Sequence, residues 1–151
     1  MKPKDTLLVR GGTCALGYAA IQIARALGCH VTATTHRESK LHLLEEAGAD
    51  ECILDDGNLS EKCGTVCNTG VLGGVFALNG FDPIKDIPNG VYLTGFFSNY
   101  PTQQIMDAIF SFLKEKKLVP ISGRVYTFDR IREAVTAQDE GRVNGKIIVR
   151  I

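Results

Sequence analysis

The run TLLVR at Thr6 to Arg10 leads without a spacer into the glycine cluster GGTCALG at 11 to 17. A β-prone stretch that enters a glycine turn and leaves it as a helix has few folds open to it, because glycine permits backbone conformations and close approaches that other residues resist. Beyond the cluster, Leu16, Ala20, Ile23, Ala24 and Leu27 recur at helical spacing, and Gly28 stands where a helix C-cap belongs. His30 to Thr35 (HVTATT) reads as a second strand, Ser39 to Ala47 as a second helix stopped by Gly48, and Glu51 to Leu54 as a short third strand. The order βαβαβ, with such short connections, predicts parallel strands in one right-handed sheet.

Past Asp55 the pattern breaks. DDGNLSEKCG is polar and turn-prone, with at most one helical turn before Thr65 to Asn68 (TVCN) starts another strand. A glycine loop from Gly70 to Gly80, a loop rich in Pro and Asp at 82 to 90, and the strand Val91 to Phe97 follow. Gln103 to Lys116 carries Ile105, Ala108, Ile109 and Phe112 on one helical face and ends in a basic cluster, as a helix C-terminus prefers. Val125 to Phe128, a helix over Arg130 to Gln138 and the strand Lys146 to Arg150 complete the chain.

The chain has 151 residues, one ordinary domain, with 44% apolar and 23% charged residues, enough to bury a core. Its 17 basic and 17 acidic residues cancel, which removes any long-range attraction to nucleic acid or anionic lipid. No apolar run approaches the roughly 18 to 20 residues that span a bilayer. The opening MKPKDTLLVR lacks the cleavage site of a signal peptide, so a cytoplasmic protein is expected. The five cysteines, at 14, 29, 52, 63 and 67, form no CxxC pair and no zinc-ligand spacing. No metal site is expected, and the cysteines read as small buried hydrophobes.

A glycine turn between a strand and its helix sets backbone N–H groups and the positive end of the helix dipole against a phosphate. In the dinucleotide fingerprint G-x-G-x-x-G the first glycine makes the turn, the second lets the pyrophosphate approach, and the third lets helix pack on strand. Here Gly12, Cys14 and Gly17 hold those positions, so a cysteine replaces the middle glycine. Cys14 reads either as a small residue tolerated beside the ligand or as a thiol activated by the helix N-terminus. NAD sites carry an acidic residue at the end of the second strand, whereas a 2′-phosphate calls for Arg, Lys and hydroxyls. Thr34, Thr35, His36 and Arg37, with Ser39 and Lys40 beyond, favour NADP(H), although Glu38 dilutes the positive field. A methyl-donor site would want an acidic residue where Thr35 stands. His30, His36 and His42 are scattered and form no acid–base pair, so no catalytic residue is expected.

Over RGGTCALGYAAIQIARALGCHVTATTHRESKLHLLEEAGADECI the chain resembles the nucleotide-binding half of the medium-chain dehydrogenase/reductase superfamily, in particular its zinc-independent quinone oxidoreductase-like members. GTVCNTG resembles that family's fifth strand and loop, VYLTGFFSNY its sixth strand, and VPISGRVYTFDRIREAVTAQDEGRVNGKIIVRI its closing segment. The resemblance implies an α/β, Rossmann-type doubly wound parallel sheet with NADPH lying across the carboxyl ends of the strands. It implies that Thr13, Cys14, Ala15 and Leu16 form the pyrophosphate loop, and that Thr35, Arg37 and Lys40 flank the 2′-phosphate. It further implies that Gly70, Val71, Phe96, Phe97 and Ser98 line the nicotinamide side, with Asn144 and Lys146 closing the site. One of Phe96 and Phe97 is expected in the core, since adjacent strand residues face opposite sides.

Two departures accompany the likeness. The family's amino-terminal catalytic domain has no counterpart, and neither does its fourth strand with the adjoining helices, a central strand–helix unit missing near residues 62 to 63. About ten residues from Asp55 to Gly64 reach at most about 33 to 36 Å, enough to cross the vacated strand positions but not to add a covering helix. An excision and a segment left out of the recorded sequence both fit. The reading is therefore a cofactor domain from an enzyme that reduces a quinone, enone or similar carbonyl. The alternatives are a non-catalytic dinucleotide-binding or dimerisation module and an inert truncated form. The family pairs sixth strands in its dimers, which would place a homodimer contact at 91 to 97.

Overall fold

The structure is a computed structural model that describes residues 1–56, 64–68, 77, 79–95, 100–119, 122–143 and 145–151. The predicted glycine loop at 70 to 80 and the link at 57 to 63 lie largely outside the described residues. The chain divides into two compact units, Met1–Asp56 with Asp107–Ile151, and Gly57–Met106.

The first unit begins with β1 (Thr6–Val9), α1 (Ala15–Ala26), β2 (His30–Thr35), α2 (Leu41–Glu46) and β3 (Glu51–Leu54). The three strands form one parallel sheet with β2 in the middle, in the register Thr6↔His30 and Thr32↔Glu51. Val9, Ile21, Ala24, Val31, Ala33 and Leu44 are buried together, and α2 delivers Leu41 and Leu44 as its spacing predicts. By contrast, α1 turns Gly17, Ile21 and Ala24 inward and leaves Leu16 exposed, so its buried face centres on Ile21 rather than on the predicted Leu16, Ala20, Ile23, Ala24 and Leu27. The predicted helix from Ser39 starts instead as a 3-10 turn over Glu38–Lys40, and α2 proper begins at Leu41.

Central β2 is buried from Val31 to Thr35, yet it carries three threonines there. Their hydroxyls are satisfied by side chains of neighbouring elements: Thr32 donates to Glu51, Thr34 to Asp55, and Thr35 shares a hydrogen bond with Thr13. Polar groups tolerate burial on those terms.

The same unit ends in β6 (Ser122–Thr127), a 3-10 turn at Phe128–Arg130, α5 (Ile131–Asp139) and β7 (Lys146–Arg150). Phe128 thus leaves the strand that the sequence predicts for it. β6 and β7 are parallel, and Tyr126, Ala134 and Ala137 form a second small core against Val143, Ile147 and Val149. The Tyr126 ring lies near two guanidinium groups, with the Arg124 and Arg130 carbons 5.4 and 5.7 Å from its centre.

In the second unit β4 (Gly64–Asn68) pairs in parallel with β5 (Val91–Gly95). Between them, inside the predicted loop at 82 to 90, lies one helical turn, α3 (Pro83–Asp86). Asp82 caps it by accepting from the Ile84 amide at 3.0 Å, and Pro83, which reads as a breaker, sits at the helix start where its missing N–H costs nothing. α4 (Gln103–Glu115) forms as expected and spans the boundary between the units. No side chain of α4 is buried: Ile105 and Ile109 remain 51% and 45% exposed, so the predicted face is not covered among the described residues.

The helix ends share one device. After α1 the Cys29 amide donates to the Ala24 carbonyl and the Gly28 amide to the Arg25 carbonyl, with Gly28 at φ +80°. Gly48 and Gly141 do the same after α2 and α5. After α4 the left-handed position falls to Lys117, at φ +53°, where a Cβ is strained.

Two outcomes follow. Lys117→Gly raises stability by about 1 kcal/mol, read as a higher urea midpoint, and an unchanged midpoint would refute the strain. Asp50 accepts the Val31 amide at 2.8 Å and the Arg25 guanidinium at 2.7 Å. The Val31 amide above all, helped by Arg25 and His30, holds its carboxyl below the usual range against the opposing effect of burial. A lowered native pKa contributes stability above the unfolded value of about 4, and that contribution is lost as pH falls through the native one. The stability gap between the native chain and Asp50→Asn is therefore open at pH 7 and closes on acidification below about pH 4, checked by urea unfolding across pH.

Candidate functional site

The candidate site lies at the carboxyl ends of β1, β2 and β3, where the glycine turn joins β1 to α1. Gly11 sits at φ +70°, so the chain reverses through a conformation that glycine adopts without strain. Gly12 faces the core: a Cβ there would lie 2.7 Å from Leu44 Cδ2 and 3.1 Å from Ile21 Cδ1. Gly17 is more tightly constrained. A Cβ there would lie 2.5 Å from the Gly11 carbonyl oxygen and 2.8 Å from Gly12 Cα, backbone atoms that no side-chain rotation can move aside. Gly17 thus plays the third part of the fingerprint, packing helix on strand, whereas the turn conformation falls to Gly11 and Gly12 makes room for the core.

Cys14 is the N-cap of α1. Its Sγ accepts from the Gly17 amide at 3.3 Å, a weak version of the bond that Ser or Asp makes there. The first amides of any helix lack carbonyl partners within it, so Thr13, Ala15 and the 58% exposed Leu16 surround the amide-rich end of α1. The geometry suits a phosphate or another anion.

At the end of β2, Thr35 is 3% exposed and its hydroxyl faces inward, sharing a hydrogen bond with Thr13 at 3.4 Å and accepting from the Arg37 amide at 3.3 Å. It braces the loop rather than presenting itself to solvent. Arg37 is exposed and its Nη1 donates to the Gly141 carbonyl at 3.4 Å, which brings the turn after α5 to this rim. Partial burial, then the charge of Arg37, hold the Lys40 ammonium below its ordinary value.

Asp55 joins the site without having been singled out, and His36, named in the sequence only as part of the strand end, takes a fixed place in it. His36 Nδ1 donates to the Asp55 carbonyl oxygen at 2.7 Å, which fixes the ring beside Arg37. The Asp55 carboxylate is buried and accepts from Arg10 Nε and Nη2 at 3.1 and 3.0 Å. The only sequence signal for Asp55 was its position just past β3.

Lys146 is exposed at the start of β7. Gly70, Val71, Phe96, Phe97, Ser98 and Asn144 lie outside the described residues. Among the described residues no cluster of three His, Cys, Asp or Glu is placed to hold a metal, and no helix is long and apolar enough to cross a membrane.

The family model described as zinc-binding dehydrogenase matches residues 15–86. An alcohol dehydrogenase of Geobacillus stearothermophilus is 27% identical, over 99% of this chain and 52% of its own length. The mitochondrial NAD(P)H oxidoreductase RTN4IP1 of Danio rerio is 25% identical, over 98% of this chain and 49% of its own. The chain thus spans about half the length of the curated relatives it matches. Those alignments run over 179 and 194 residues, more than the 151 of this chain, so each relative carries internal residues with no counterpart here. Among solved structures, the quinone oxidoreductase of Thermus thermophilus, determined also as its complex with NADPH, shares the fold with a TM-score of 0.71 and 24% identity, over 99% of this chain and 58% of that one. With the parallel strands and the glycine turn in place, the chain has the Rossmann-type α/β fold of that structure and is similar to the zinc-binding dehydrogenase family over residues 15–86.

Proposed function

We propose that the chain binds NADP(H) and is the cofactor-holding part of a quinone oxidoreductase-like enzyme. The single observation that carries this reading is the glycine turn, with α1 packed backbone to backbone at Gly17, opening beside a basic strand end. The loop Thr13 to Leu16 would take the pyrophosphate, chiefly through the amides of Thr13, Ala15 and Leu16 because that of Cys14 donates to the Gly11 carbonyl, while Gly12 and Gly17 seat α1 close beneath it. Arg37 and Lys40 would take the 2′-phosphate, with Thr35 bracing them from beneath. Lys40 lies near enough to Arg37 for the two charges to repel, although burial is the larger cause of its lowered pKa, and a bound dianion would relieve that repulsion. His36, fixed by its bond to Asp55, adds a donor on the same rim.

In the intact enzyme the nicotinamide supplies a hydride for a quinone, enone or similar carbonyl. Its nearest residues would be Gly70, Val71, Phe96, Phe97 and Ser98, with Asn144 and Lys146 closing the site. The acceptor would sit between the nicotinamide and a further domain. The internal residues that the relatives have in excess fit a missing strand–helix unit near 62 to 63.

Two subsidiary readings complete the proposal. Among the described residues β5 pairs with β4 alone, and its other edge suits pairing with a second copy through 91 to 97, giving a homodimer. The four described cysteines are free thiols, in keeping with a cytoplasmic, reducing setting.

Titration with NADPH and NADH side by side tests the cofactor reading. NADPH is expected to bind more tightly, and Arg37→Glu to weaken NADPH by about tenfold or more while leaving NADH little changed. Absence of saturable binding by both nucleotides would overturn the proposal.

A further inference from the structure

We propose that Asp55 and Thr34 act as a positioning relay that sets the glycine turn for its ligand; the inference rests on the nucleotide-binding reading above. Asp55 follows β3 directly and its side chain is 1% exposed. Burying a carboxylate is costly unless it is paired in charge and hydrogen-bonded. Here one oxygen, Oδ2, receives Arg10 Nε and Nη2 and, at 3.3 Å, the Thr34 hydroxyl. These donors sit at the carboxyl ends of β1 and β2, so the carboxylate ties the ends of all three strands together.

The direction of the bonds matters. Since the Thr34 hydroxyl gives its proton to Asp55, its lone pairs are turned to receive the Gly11 amide, which lies 3.4 Å away. The carbonyl of Thr34 takes the next amide, that of Gly12, at 2.8 Å. One residue of β2 therefore holds both peptide groups that enter the turn. Gly11 itself has little intrinsic preference for the φ it adopts, so the turn depends on such external bonds for its shape. Arg10, adjoining Gly11 and 52% exposed, is balanced by the same carboxylate, which therefore also sets the charge in front of the turn.

The test is NADPH titration of the full chain and its variants, each held well below its own unfolding temperature. Thr34→Val keeps the shape and removes the hydroxyl; it is expected to weaken NADPH by about three- to tenfold. Thr34→Ser restores the hydroxyl and is expected to restore affinity, which a general loss of packing would not do. Asp55→Ala is expected to weaken binding by about tenfold, and the double variant by no more than the worse single one, because both break one relay. Wild-type affinity in Thr34→Val and Asp55→Ala, or losses that multiply in the double variant, would overturn the relay while leaving the nucleotide reading intact. If the unaltered chain binds no NADPH, both fall. If Asp55→Ala fails to fold, the Thr34 pair decides the matter alone.

Discussion

The closeness of α1 to the strand that precedes it governs the arrangement at the carboxyl edge of the first sheet. Gly17 sets that distance, since any side chain there would meet the Gly11 carbonyl and the Gly12 backbone. Bringing the helix in so far places Ile21 and Ala24 against Val31, Ala33 and Leu44, and it leaves the amide-rich helix end directly over the turn. Core packing and the placing of the helix amides are thus two faces of one contact. A residue that relaxed the approach would loosen both.

Buried polar groups finish what that contact begins. β2 is a central strand whose inner positions alternate apolar residues with threonine, and each threonine bonds to a different neighbour. A strand of Val and Ile would bury as well but would not specify which rim residues meet. The threonines connect the strand to β3 at one end and to the glycine turn at the other. The pair Arg10 and Asp55 places a buried charge where it joins elements 45 residues apart in the chain.

Local patterning made the first half of the fold legible. His30–Thr35, Glu51–Leu54 and Lys146–Arg150 lie where β-branched runs between turn residues place them. Boundaries moved where a local signal admits two meanings. Pro83 looks like a breaker but starts a turn capped by Asp82, and Glu38–Lys40 tightens into a 3-10 turn before α2. The apolar face of α4 was plain in the sequence, yet periodicity alone does not say what covers a face. The glycine turn and the basic rim were likewise readable, because each lies within a single strand–turn–helix stretch, the one after β1 and the other after β2. Asp55 and its bond to His36 were not, since they join separate strand ends that no spacing rule encodes.

The local closure of the cores bears on how the chain comes to be folded. The larger core, with the residues packed against it, runs from Leu7 to Cys52, and the smaller from Tyr126 to Val149. Among the described residues, neither draws a side chain from the middle of the chain. Each core can thus close without waiting for the chain between them, and loop-closure cost grows only slowly with the separations inside each. The amino-terminal βαβαβ segment can therefore condense during synthesis, as soon as about sixty residues have emerged and before β6 exists. Its glycine turn would be shaped early, and changes of length in the middle of the chain would reach it late.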